Sequence, residues 1–145
     1  MGIRVKIKQP SEAESFMWAA RWFLAGADAL ARCTAKELTS CVFLAAQSLE
    51  CALKSFLRHK GITADELKHG FRHNLERLWK KAHEFNLGIS STPSDWCIIL
   101  NAGHNSPHLM RYPMGGVNIT NPVIDTMITE LTQIVNDVDV EIRKG

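Results

Sequence analysis

The stretch 45-AAQSLECALKSFLRHKG-61 decides the fold class, because its apolar residues recur at intervals of three and four. This period is typical of an amphipathic helix, and it predicts a helix over about residues 35–60. Gly61 ends the helix after a basic last turn, which suits the negative end of a helix dipole. The apolar face consists of Leu38, Val42, Ala45, Leu49, Ala52, Leu53, Phe56 and Leu57.

A polar stripe runs beside that apolar face and consists of Gln47, Glu50, Lys54 and Arg58. Glu50 and Lys54 are four residues apart in the orientation that favours an ion pair, which contributes a few tenths of a kcal/mol on an exposed helix. Two interpretations stay open. The stripe is either a structural, solvated face, as most surface charges are, or one wall of a binding site.

The helical period continues on the N-terminal side and resumes beyond the loop that follows. A first helix is predicted over 11–33, where Ser11 and Glu14 form a capping-box pattern. Residues 1–10 are interpreted as an N-terminal arm. Residues 61–71, GITADELKHGF, form a connector with room for one turn of helix.

Three further helices follow the connector. The third begins at His73 or Asn74 and ends by Gly88, and the fourth covers about 93–102. The last begins at Asn121–Pro122, a cap residue followed by proline at the first helical position, and continues to the C-terminus. Five helices with short loops predict an all-α, antiparallel up-and-down bundle.

Length and composition favour one globular domain over residues 1–145. The net charge of +2 is too small to indicate nucleic-acid binding by itself. Apolar runs are shorter than a membrane span needs, and the N-terminus lacks the apolar core of a signal peptide, so we expect a cytoplasmic protein without a membrane partner. The four cysteines form no C-x-x-C pair and are interpreted as reduced, mostly buried small hydrophobes.

Three short motifs carry a family resemblance. They are Ser48-Leu49-Glu50 with Leu53-Lys54 and Gly61, then 73-HNLERLWKKA-82, and then Arg111-Tyr112. Over roughly residues 11–140 the chain resembles the HEPN family, helical domains named for nucleotide binding in higher eukaryotes and prokaryotes. The resemblance implies a compact, HEPN-like bundle of about five helices that forms a homodimer.

The resemblance also implies what such a bundle does. Many HEPN members are metal-independent ribonucleases with an Arg-polar-x4–6-His motif, in which the Arg holds the phosphate and the His acts as general acid and base. Other members lack this motif and act as binding modules or as the toxin-side partners of nucleotidyltransferases.

The nuclease motif is not evident in this chain. Only Arg77 and His83 have its spacing, but Leu78 stands where the motif has a polar residue. The two side chains lie about 240° apart around a helix and share no face. The sequence therefore favours a protein without catalysis over an enzyme. It leaves weak catalytic candidates, which are His73, His104, His108 and Arg111.

Two pairs of histidines have the four-residue spacing of metal ligands on a helix, His69 with His73 and His104 with His108. Gly70 interrupts the first pair and Pro107 the second, so helical geometry does not follow for either. Neither pair encloses the glutamate of a zinc-protease motif. We therefore predict no metal and no cofactor, and we interpret His73 as the cap of the third helix.

A pocket for a phosphate-bearing ligand is the functional interpretation of the remaining polar residues, because Arg and Lys bind phosphate and aromatic rings stack on bases. The resemblance places the 69–73 loop and Arg111–Tyr112 near the second helix. The predicted binding residues are Glu50, Lys54, Arg72, His73, Arg111 and Tyr112. A basic cluster around the third helix also fits RNA, and it consists of Arg72, Arg77, Lys80 and Lys81.

The favoured function is thus a HEPN-like module that binds a nucleotide or RNA, or that serves as a partner in a toxin–antitoxin or stress-related system. One alternative is a divergent metal-independent ribonuclease, with histidines from the set His73, His104 and His108 and with Arg111 or Arg72. Another is a protein-interaction partner of a nucleotidyltransferase. The tryptophans are interpreted as core or dimer-interface anchors, with Trp18 and Trp22 one turn apart on a dimer face.

Overall fold

The computed structural model describes residues 2, 9–33, 38–105 and 122–144, and these residues contain α-helices and no strand. The all-α bundle predicted from the sequence is confirmed. The helices are α1 (Glu12–Arg32), α2 (Leu38–His59), α3 (Leu75–Glu84), α4 (Asp95–His104) and α5 (Ile124–Arg143), and a π-helical turn (Glu66–Phe71) lies in the connector before α3. The predicted arm falls mostly outside the described residues, as does Asn121.

Side chains at the helix starts explain where the helices begin. The Ser11 hydroxyl accepts a hydrogen bond from the backbone N–H of Glu14 at 3.1 Å, so the predicted cap of α1 is confirmed. For α3 the cap is Asn74, whose side chain accepts from the Arg77 N–H at 3.2 Å. The assignment of His73 as that cap was wrong, because its ring is engaged elsewhere. Pro122 lies before α5 and not at its first helical position.

Small polar side chains lock α1 and α2 together in an antiparallel register. Three α2 residues, seven positions apart, each donate a hydrogen bond to an α1 backbone carbonyl: Cys41 Sγ to Ala27 at 3.3 Å, Ser48 Oγ to Ala20 at 2.7 Å and Ser55 Oγ to Ala13 at 2.6 Å. The acceptors also recur every seven residues, in descending order. Alanine and serine let the two backbones approach closely, and the heptad spacing keeps the seam aligned over several turns.

The α2 helix is the centre of the bundle and contacts α1, α3, α4 and α5. It is long and apolar enough to match a membrane span, but 78% of its apolar window is buried inside the domain, as in the core helix of a soluble protein.

Trp79 and Trp96 are buried, and their rings meet edge to face with centroids 6.0 Å apart. These two are core anchors as predicted, whereas Trp18 and Trp22 are 50% and 72% exposed.

The cysteines are free thiols with differing surroundings. Cys41 and Cys97 are buried, Cys51 is half-buried and Cys33 is exposed. Burial is the main cause that raises the pKa of Cys51 and of Cys97 to about 12. Since the thiolate is the reactive form, both thiols are poor nucleophiles at neutral pH.

Candidate functional site

The candidate site starts from Glu50, a carboxylate near the middle of α2. Its residue is only 7% exposed, although it is charged. Lys54 follows one helical turn later, and its Nζ donates to Glu50 Oε2 at 3.3 Å. Lys54 is also buried, at 8% exposure. The predicted ion pair therefore exists, but in the interior of the bundle, where it is screened far less than an exposed pair.

Two histidines from other elements meet the second oxygen of this carboxylate. His73, in the turn before α3, places Nδ1 2.8 Å from Glu50 Oε1, and His104, the last residue of α4, places Nε2 2.9 Å from the same atom. Their rings stand edge to face, with centroids 5.8 Å apart. The His104 side chain is 1% exposed and that of His73 is 43% exposed. The cluster thus extends from the core to the surface.

The basic neighbours stabilise the ionised form of Glu50. Burial by itself raises the pKa of this carboxyl, because a charge is costly in a poorly solvated place. The hydrogen bonds from His104 and His73 and the charge of Lys54 outweigh burial and lower the pKa of Glu50 to about 2. Glu50 is therefore a carboxylate at neutral pH and accepts hydrogen bonds on both oxygens.

A buried asparagine holds the two histidine-bearing segments in place. Asn101, one turn before His104 on α4, accepts the Leu75 N–H at 2.7 Å through its side-chain oxygen. Its amide nitrogen donates to Asn74 at 3.2 Å and to Glu76 at 2.9 Å. These bonds fix the start of α3 against the end of α4. The positions of the two rings therefore depend on tertiary structure and not on local spacing.

The cluster opens on a cleft of about 720 Å³. The lining residues are Phe16, Lys54, Ala64, Leu67, Lys68, Arg72, His73 and Asn105. Four of them are basic, and none of the described residues that line the cleft is acidic. Arg72 has φ = 50°, a backbone conformation that non-glycine residues rarely adopt. Such strain costs about 1–3 kcal/mol and concentrates at functional sites.

The structure brings together one part of the predicted site. Glu50, Lys54, His73 and His104 form the cluster, and Arg72 lines the same cleft. The other predicted site residues, His108, Arg111 and Tyr112, lie outside the described residues, as does Pro107.

Other residues considered from the sequence lie away from the cluster. Arg77 donates to the Gly70 carbonyl, whereas the ring of His83 is bonded to the Ile89 carbonyl at 3.0 Å, so the two residues with nuclease-motif spacing have separate surroundings. His69 faces Asp65 across 3.4 Å at the surface. At the end of the polar stripe, Arg58 contacts Glu12 of α1 at 3.1 Å and ties the two helices together.

The sequence indicated His73 and His104 as candidate site residues but did not indicate that both contact Glu50. The four-residue spacing of His69 with His73 and of His104 with His108 gives no indication of Glu50, which lies 23 residues from His73 and 54 from His104. The signal that could have found the cluster is the position of Glu50 and Lys54 among the mostly apolar residues of α2 between Leu49 and Leu57. A buried charged pair needs further polar partners, and His73 and His104 are those partners.

Fold and site define a small all-α domain with a buried carboxylate–imidazole cluster that opens on a cationic cleft. Comparison with models of protein families, with curated proteins and with solved structures finds no match for this chain. Membership of the HEPN family thus stays a prediction from the sequence motifs.

Proposed function

We propose that this domain binds a phosphate-bearing ligand, a nucleotide or RNA, in the cleft beside His73. The observation that carries the proposal is the charge of the cleft wall, with Lys54, Lys68, Arg72 and His73 on it. The carboxylate of Glu50 forms an ion pair with Lys54 and neutralises its charge. Lys68 and Arg72 have no ion-pair partner among the described residues, so both are available to an anion.

The shape of the cleft supports the same ligand class. Its volume of about 720 Å³ lies within the usual range for small-molecule sites. Phe16 of α1 is half-buried in the lining and presents an aromatic ring on which a base can stack. Guanidinium and ammonium groups beside an aromatic ring are the combination that recognises a nucleotide. The HEPN resemblance supports this proposal and, with it, a role as a partner in a toxin–antitoxin or stress-related system.

Fluorescence anisotropy with labelled single-stranded RNA, and with single nucleotides as competitors, tests the proposal. Arg72→Gly removes the charge and suits the positive φ, and Lys68→Gln removes a second charge. Each should weaken binding by about tenfold and reduce the salt dependence by about one phosphate contact. Lys60→Gln is the matched control, since Lys60 is exposed just after α2 and does not line the cleft. Equal losses in all three variants would refute a specific role for the cleft.

A metal-independent ribonuclease is the second candidate, and the Glu50–His73 contact favours it. When Nδ1–H of a neutral imidazole donates to a carboxylate, Nε2 is left as a proton acceptor. A carboxylate that fixes the tautomer and orientation of a histidine is the arrangement found in general bases. In this candidate, His73 Nε2 accepts the proton of an RNA 2′-hydroxyl while Arg72 holds the adjacent phosphate. The 2′-oxygen forms a bond to phosphorus, the bond from phosphorus to the 5′-oxygen breaks, and the leaving 5′-oxygen takes a proton from solvent.

Incubation of a mixed RNA pool with the protein in EDTA distinguishes the two candidates. The ribonuclease predicts cleavage that His73→Ala abolishes and His83→Ala leaves unchanged, since His83 is exposed and bonded elsewhere. RNA binding without cleavage would support the binding function and exclude the ribonuclease under those conditions. Cleavage that survives His73→Ala would exclude this residue as the base.

A further inference from the structure

Three donor atoms converge at the inner end of the cleft in a way that the proposed function does not use. They are one carboxylate oxygen of Glu50, Nδ1 of His73 and Nε2 of His104, and all lie within 4.8 Å of one another. The residues come from α2, from the turn before α3 and from the end of α4. Two imidazole nitrogens and a carboxylate form a ligand set that zinc and related divalent ions take in catalytic sites.

We infer that Glu50, His73 and His104 form a binding site for a divalent transition-metal ion of the zinc class. Zinc lies about 2.0–2.1 Å from its nitrogen and oxygen ligands, which places tetrahedral ligands roughly 3.3 Å apart. The two distances to Glu50 Oε1 are 2.8 Å and 2.9 Å and would lengthen by a few tenths of an ångström on binding. The two nitrogens lie within 4.8 Å of each other and would move closer together around the ion. Each neutral ring then carries its proton on the nitrogen that does not bind the metal.

The surroundings of the three ligands fit a metal site. Lys54 donates to Glu50 Oε2, so Oε1, which both histidines contact, is the oxygen that would bind the ion. Asn101 fixes the segments that carry the two histidines. Such outer hydrogen bonds orient metal ligands and raise the affinity for the ion.

One side of the cluster is accessible from solvent. His73 is 43% exposed and lines the cleft, so an ion has an entry path and keeps a coordination position for water or a ligand. This inference reverses the prediction from the sequence that no metal binds. That prediction rested on pairs of histidines four residues apart, whereas the three ligands here are distant from one another in the chain. The inference is independent of the proposed function, because the two are tested in separate experiments. Metal binding is measured in the absence of nucleotide, and RNA binding is measured in the presence of EDTA.

Titration of the full chain, after removal of metal with EDTA, tests the site. We expect one equivalent of Zn²⁺ to bind in calorimetry, and Co²⁺ to give the intense visible bands of a four-coordinate ion. His73→Ala and Glu50→Gln should each reduce Zn²⁺ affinity by more than about 100-fold, which exceeds the loss caused by removing an outer partner. His73 is the key variant because its half-exposed side chain is replaceable without unfolding the core.

His69→Ala is the matched control. His69 is exposed, four residues from His73, and faces an acidic residue, so it represents adventitious surface binding. Binding that His69→Ala leaves intact and His73→Ala removes supports the site. Zn²⁺ binding below one equivalent, or binding that persists in His73→Ala, overturns it. Circular dichroism of each variant confirms that the helices remain folded.

Discussion

Among the residues that the structure describes, two carboxylates are buried, and they are stabilised in different ways. Glu50 on α2 is 7% exposed and Asp139 on α5 is 8% exposed. Each accepts hydrogen bonds from basic residues on its own helix and on other elements. Glu50 contacts Lys54, His73 and His104, whereas Asp139 contacts Arg21 of α1 and Arg143.

The partners make the difference between the two regions. The Lys54 and His104 side chains are 10% and 1% exposed, so removal of Glu50 would leave buried polar groups without an acceptor. The Arg21 and Arg143 side chains are 42% and 77% exposed and are solvated without Asp139. A buried carboxylate is thus structurally critical where its partners are buried too, and much less so where water replaces it.

Glu50→Ala should have the largest effect on stability. It leaves the ammonium of Lys54 and the ring of His104 without their acceptor, and breaking a buried ion pair on one side costs about 3–5 kcal/mol. Urea denaturation followed by circular dichroism at pH 7 measures the free energy of unfolding. A loss below about 1 kcal/mol would show that Lys54 reaches solvent, and the contrast with Asp139 would disappear.

Acid should act mainly through Glu50. Its pKa is lowered from 4.5 to about 2 in the folded protein, so the folded state binds this proton less readily than the unfolded chain. The stabilisation is present in full above the ordinary pKa near 4.5 and is lost as the pH falls towards 2. It amounts to about 3 kcal/mol, since one pKa unit corresponds to about 1.4 kcal/mol.

Denaturation between pH 6 and pH 2 in EDTA, with Glu50→Gln as the comparison, measures this loss. The variant should start less stable and lose less on acidification, because its amide does not titrate over this range. Parallel pH curves for the wild type and Glu50→Gln would contradict the assignment and point to other carboxylates as the acid-sensitive groups.

Features of the bundle that depend on local sequence signals were predictable, and those that depend on distant residues were not. Helical periodicity gave all five helices, and Ser11 with Glu14 gave the start of α1, because these signals are local. The Glu50–Lys54 spacing predicted the ion pair but not its burial, because burial depends on how α3 and α4 pack against α2. His73 was assigned to the helix cap because the competing acceptor, Glu50, lies 23 residues away. No role was predicted for Asp139, because its partner Arg21 lies 118 residues away in the chain.

Asp139→Asn should have a moderate effect. Burial raises the pKa of Asp139, and hydrogen bonds from Arg21 and Arg143 outweigh it and lower that pKa. Since the guanidinium groups are exposed, their loss of a charged acceptor should cost only about 1 kcal/mol. Urea denaturation at low and high salt measures it, and the difference between the wild type and the variant should shrink at high salt. A cost equal to that of Glu50→Ala would contradict the distinction drawn from partner exposure.

Trp22→Ser should have the smallest effect on the monomer. It also tests whether the arginines that contact Asp139 stay exposed to solvent. Trp22 is 72% exposed on α1, next to Arg21, so its removal should change the free energy of unfolding by less than about 0.5 kcal/mol at low protein concentration. If α1 forms the expected dimer face, the wild type gains thermal stability with protein concentration and Trp22→Ser does not. Arg21 would then be covered in the dimer, and the cost of Asp139→Asn would rise towards that of Glu50→Ala at high concentration. Sedimentation of both proteins across that range decides between a permanently solvated arginine network and one that becomes buried on assembly.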